Sequence, residues 1–132
     1  MLAPWVIEEV KTADLDDKRL NDRLATLLSA LSERPTASIP AACGGFNEMT
    51  AAYRFFDNEK VTYDRLLAPH AERTLQRIGE QEVVLLVQDT TELDFTRPQE
   101  QMTGAGLLGS SSRWGAFLHP LVAFTTEGTP LG

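Results

Sequence analysis

An aspartate set just behind a short apolar run is the residue of this sequence best placed to do chemistry. The segment Val83 to Phe95 reads VVLLVQDTTELDF, with Gln88 and Asp89 after five apolar residues. A run of that length and β-branched content predicts a strand buried on both faces. The C-terminal end of such a strand is where open α/β sheets keep their functional groups. A carboxylate fixed there is rigid enough to meet the coordination distances of Mg²⁺. Asp89, with Thr90 and Thr91, also has the composition of an ordinary turn cap, in which side-chain oxygens accept from nearby backbone N–H groups. Residue type and spacing leave both readings open. Glu92 and Asp94 are poorer partners for a cation at Asp89, because alternate side chains of an extended segment point to opposite faces. Their expected place is a solvated surface.

The basic residues offer a second kind of chemistry, the gripping of phosphates. Arg19 and Arg23 are four apart, so on a helix they share a face that could meet consecutive phosphates, with Lys18 beside them. Asp16 and Asp22 are close enough in sequence to pair with these cations instead. Arg54 lies off the apolar stripe of its own segment. Asn47 has the chemistry either to donate to a phosphate or base edge or to cap a helix. In Ser110-Ser111-Ser112-Arg113-Trp114, hydroxyls, a guanidinium and an indole stand together, a mix suited to phosphate contacts and base stacking or to a plain hairpin tip. Cys43 has no Cys or His partner at metal-ligand spacing and reads as structural, and His70, within the third helical pattern, reads as a packed or surface imidazole.

The elements that must position these groups can be read from periodicity. Leucines at 15, 20, 24, 27, 28 and 31 predict a helix over Asp14 to Glu33, with Asp14 as N-cap and Pro35 as the stop. Pro35 to Gly45 reads as a loop. Apolar residues at 46, 49, 52, 53 and 56 predict a second helix, begun by Asn47 or the preceding Gly pair. Tyr63, Leu66, Leu67, Ala71, Leu75 and Ile78 predict a third, ended by Gly79. Strand character begins near Glu82, a polar stretch covers Gln88 to Thr96, and residues 97 to 115 read as a loop. Ala116 to Thr126 is strand-like again, and Gly128 to Gly132 reads as a turn.

Composition narrows the function classes. The chain has 132 residues, one cysteine, 42% hydrophobic residues and a formal net charge of −7. One domain's worth of core is available, and Cys43 fits a reducing cytoplasm. No apolar run is long enough to span a bilayer, and Met1 to Val10 lacks a basic leader pattern. The negative balance argues against an unspecific polyanion binder, although a local arginine cluster can still hold phosphates while acids elsewhere set the total. Gly-rich phosphate loops, the Gly-x-Ser-x-Gly elbow and Cys/His metal clusters are absent from the sequence, which disfavours several small-enzyme classes.

Taken together, EMTAAYRFFDNEKVTYDRLL, VVLLVQDTTELDF, SSRWGAFLHPLVAF and the opening stretch Leu15 to Leu24 give the sequence a family likeness. It resembles the N-terminal part of bacterial insertion-sequence DDE transposases, among them the cut-and-paste transposase of the kanamycin-resistance composite transposon. The likeness runs from about Leu15 to Phe124. It implies an α+β chain: a three-helix DNA-binding region over residues 1–80, then the first strands of an incomplete ribonuclease-H-like domain over residues 81–132. By that resemblance Asp89 matches the first of three metal-holding acids, with Thr90, Thr91 and His119 at the site's periphery. The bound ion would be Mg²⁺ or Mn²⁺ in a complete enzyme, and none would be held stably by this chain alone. Lys18, Arg19 and Arg23 match basic positions of the family, and Asn47, Arg54 and Arg113 complete the expected DNA contacts. The implied partners are double-stranded transposon ends and a second copy or full-length transposase, and no membrane. The second aspartate and the glutamate of the family lie beyond residue 132, so cleavage is expected of a longer parent. A non-catalytic regulatory module is the alternative.

Overall fold

The computed structural model describes residues 1–97, 102–109 and 112–132, as five helices and five strands. They fall into two compact units, Met1–Gln76 and Arg77–Gly132. The expected loop residues Ser110 and Ser111 lie outside the described residues.

The helices are α1 (Pro4–Glu9), α2 (Lys18–Glu33), α3 (Ile39–Cys43), α4 (Phe46–Phe56) and α5 (Tyr63–Gly79), the first four and most of α5 in the first unit. Helix α2 packs against α1, α3 and α4. The three-helix expectation is thus corrected to five. Both added helices are single short segments that start with proline in the first turn, where its fixed φ and missing N–H cost nothing. Ser38, capping α3 by accepting from Ala41 N, turned part of the expected Pro35 to Gly45 loop into helix. Gly44 ends α3 in the left-handed region at φ 73°, a conformation that glycine adopts without strain.

The start of α2 also differs from expectation. Asp17, and not Asp14, is the N-cap, its side chain accepting from Arg19 N. Asp14 instead accepts from Asp16 N in a tight turn, and Asp16 takes φ 55°. Aspartate tolerates that region better than most side chains. Lys60 Nζ donates to the Asp16 carbonyl at 3.0 Å and Arg65 pairs with its carboxylate at 2.6 Å, so both ends of Asp16 are held. The turn drives Leu15 to full burial ahead of the helix, with its N–H donated to Asn21 Oδ1.

Leu15, Leu27, Ala52 and Phe55 form the core of this unit, with Leu20, Leu24, Ile39, Cys43, Val61 and Leu66 packed around them. On α4 the buried stripe is Ala52 and Phe55, whereas Phe46, Tyr53 and Phe56 are exposed. Of the expected stripe positions only Ala52 is buried and Met49 half-buried, and Phe55 takes the place of Phe56. Asn47 is the second residue of α4, and Gly45 precedes the helix as its N-cap without a side-chain bond. Along α5, Tyr63 and Leu75 are exposed while Leu66 meets the core and Pro69 is buried.

The second unit is antiparallel: β1 (Leu85–Gln88) pairs with β5 (Leu121–Phe124), and β2 (Thr91–Asp94) pairs with β4 (Trp114–Leu118), which also pairs with β3 (Gly106–Leu107). Leu85 stands opposite Phe124, Gln88 opposite Leu121, Thr91 opposite Leu118 and Asp94 opposite Gly115, so one register runs through both sheets. The ladder is interrupted only where Asp89 and Thr90 face His119 and Pro120. Proline has no N–H to donate, so the single strand expected over Ala116 to Thr126 becomes two. The strand expected to be buried on both faces is exposed at all four residues of β1. The final segment adds to β5: Leu131 N donates to Ala123 O and Ala123 N to Gly132 O, both at 2.7 Å, and Leu131 is buried.

Candidate nucleic-acid interface

Arg19, Arg23 and Arg54 line one surface concavity together with Asp17, Leu20, Ala51, Phe55 and Asn58. Two arginines come from α2 and the third from α4. Phe55, buried between the helices, fixes their relative placement, so the guanidinium spacing follows from core packing. Three cations against one carboxylate make this concavity locally positive within a chain of net charge −7. A surface of that kind can take phosphate oxygens through charge-assisted hydrogen bonds.

Each α2 cation already has a carboxylate partner. Arg19 donates through Nε and Nη2 to Asp17, at 3.4 and 3.2 Å. The Arg19 side chain, followed by its backbone N–H, holds the Asp17 carboxyl below the usual aspartate range, and Asp17 in turn raises the Arg19 guanidinium. Arg23 reaches Glu48 of α4 at 2.6 Å. Lys18 pairs with Asp22 one turn along, also at 2.6 Å. Of the pairings read from sequence, Asp22 therefore takes Lys18, whereas Asp16 is turned toward Arg65. Lys18 does not join the arginine concavity; it lines another one with Lys11, Val10 and Asn21. Asn47 is exposed in the first turn of α4 and lies outside the lining of both.

Glu48 is an exposed residue of the first turn of α4. Its pairing with Arg23 spans 25 positions. Only the packing of α2 on α4 brings the two together, and the AYRFF stretch carries no local signal for it.

In the second unit Asp89 follows β1 directly, as expected, and its Oδ1 accepts from Thr90 N at 2.8 Å. Thr90 Oγ1 and His119 Nδ1 hydrogen-bond at 2.7 Å across the interruption in the ladder. The structure thus gathers Asp89, Thr90 and His119 at one point, with Thr91 beginning β2 beside them. Arg113 is held by two acids, Nη2 on Glu92 at 2.8 Å and Nε on Asp94 at 3.0 Å. Thr96, by side chain and backbone, and then Arg113 bring the Asp94 carboxyl down to about 2. Glu92 first and Asp94 second raise the Arg113 guanidinium. Glu92 and Asp94 serve Arg113 and do not turn to Asp89.

Mg²⁺ needs several oxygen ligands. Among the described residues no three His, Cys, Asp or Glu side chains gather closely enough to hold a metal ion. Asp89 supplies a single carboxylate, so the described residues do not by themselves fit the metal.

Residues 2–61 match the family model described as transposase DNA-binding. The stretch takes in α1 to α4, and with them Arg19, Arg23, Glu48 and Arg54. No curated protein gives a significant match to the chain. The likeness read from the sequence is thereby supported as far as a transposase N-terminal, DNA-binding region. No described helix is long and apolar enough to cross a membrane.

Proposed function

We propose that the helical unit binds the double-stranded ends of a bacterial insertion sequence of the DDE transposase class, the type found in the kanamycin-resistance composite transposon. The observation that carries this reading is the convergence of Arg19, Arg23 and Arg54 on one concavity inside the stretch that matches the DNA-binding family. Phosphates seated there position the duplex, and Asn47, at the exposed start of α4, is placed for a further phosphate or base contact. Lys18 and Arg113 contribute at separate points of the surface. Arg113 must first leave Glu92 and Asp94 to do so.

In a longer parent chain the proposed activity is metal-dependent cut-and-paste transposition on a ribonuclease-H-like domain, with Asp89 as the first of three acids. The position of Asp89 at the end of β1, beside the Thr90–His119 bond, supports that role. The chain by itself is proposed to bind DNA and to pair with a second copy or with a full-length transposase.

A gel-shift titration with inverted-repeat duplex tests the binding. Arg23→Ala and Arg54→Ala are each expected to weaken it by about tenfold, ~1.4 kcal/mol, the scale of a hydrogen bond to a charged group. Unchanged binding in both would remove the concavity from the reading.

A further inference from the structure

Arg19 and Arg23 border two concavities at once. The first is the one they share with Arg54 and Asp17; the second is lined by Arg19, Asp22, Arg23, Thr26 and Glu48. Three arginines against one carboxylate make the first positive, whereas two arginines against two carboxylates leave the second neutral. Arg23 faces both and is committed to Glu48, at 2.6 Å. A phosphate entering the second concavity would meet the carboxylates of Asp22 and Glu48 at short range, where repulsion is least screened by salt.

We infer that Glu48 is a specificity-determining residue of the DNA surface: by occupying Arg23 and neutralising the second concavity, it confines the phosphate backbone to the Arg54 side and suppresses sequence-independent binding. This rests on the DNA-binding reading above. Its physical basis is competition. A phosphate gains Arg23 fully only by displacing the Glu48 carboxylate, so a duplex pressed on the surface by charge alone has one cation fewer to use. A duplex held by further contacts can meet that cost, and specificity is the difference between the two. The pair is partly open to solvent, with Arg23 31% and Glu48 53% exposed, so the carboxylate can swing away without unfolding the helix.

The test is Glu48→Gln in the full chain, titrated by fluorescence anisotropy with a labelled duplex of mixed sequence over a range of salt. Glutamine keeps the shape and removes the charge. The affinity is expected to rise about fivefold, and the slope of log K against log salt to steepen by about 0.9, the increment for one further phosphate neutralised. Glu72→Gln, the same change in net charge at an exposed α5 residue outside both concavities, is the control and should leave both quantities at the wild-type values. Should the affinity gain be equal in the two variants, net charge and not the Arg23 pair is responsible, and the inference is overturned. Wild-type binding that Glu48→Gln leaves unchanged overturns the inference alone. A wild-type chain that shows no salt-dependent binding overturns the DNA-binding reading and the inference with it. A circular-dichroism melt confirms that each variant is folded, and Glu48→Ala provides a second neutral side chain with the same expected direction.

Discussion

The two compact units treat apolar surface in opposite ways. In the helical unit Leu15, Leu27, Ala52 and Phe55 close into a common core. In the sheet unit all four residues of β1 are exposed, as are Phe117 and Leu118 of β4 and Leu121 of β5, while Leu108, Ala123 and Leu131 are buried. A helix buries a stripe as soon as one neighbour packs against it, but a two-layered sheet core needs covering on the face that carries the apolar side chains. The helical unit therefore draws its stability from side-chain burial, and the sheet unit draws more of its own from strand pairing.

The sharpest way to break that comparison is Gly115→Ala. A Cβ on Gly115 would lie 1.8 Å from Leu93 O and 2.7 Å from Leu108 Cδ1, and a backbone oxygen cannot yield as a flexible side chain can. A loss of about 3 kcal/mol or more is expected, with amide exchange rising across β2, β3 and β4 and the helices left protected. Next is Leu15→Ala, which empties a fully buried site in the helical core. The expected loss is about 3 kcal/mol in urea unfolding of the helical signal.

These two positions also show what the sequence disclosed and what it withheld. Periodicity located α2, α4 and α5, and the Val83 to Phe95 run located a strand with Asp89 at its end. Hidden from it were α1 and α3, because single-turn helices have too few residues to show a period. Leu15 belonged visibly to the leucine pattern, yet its burial through the Asp14–Asp17 turn depends on Asp16 adopting a left-handed backbone, held by Lys60 and Arg65 from far along the chain. Gly115 was legible as a loop residue only, since the need for a missing side chain arises from the closeness of β2. At the candidate interface, spacing put Arg19 and Arg23 on one helix face and residue type named Arg54 apart from them. The convergence of Arg54 on that pair, and the capture of Arg23 by Glu48, came from helix packing.

Acid sharpens the comparison further. The folded-state pKa of Asp94, about 2, lies below its ordinary value of 3.8. The stabilisation it provides is complete above pH ~4 and is lost as pH falls toward ~2. Melts of the sheet signal should thus weaken across that window, and Asp94→Asn should remove this part of the pH dependence while lowering stability at neutral pH. The smallest effect is expected from Leu86→Ala. Leu86 is 61% exposed on β1, so its truncation should change stability by no more than about 0.5 kcal/mol. A loss as large as that of Leu15→Ala would show that the sheet is covered in solution.

The central claim is that three arginines on one face of the helical unit hold the phosphates of a duplex. It is tested most directly by the salt dependence of binding to the inverted-repeat duplex, on which Arg23 leaves Glu48, for the wild type and for Arg19→Ala, Arg23→Ala and Arg54→Ala combined. Loss of three phosphate contacts should flatten the slope of log K against log salt by about 2.7, with the folded helical signal retained. An unchanged slope in the folded triple variant would contradict the account.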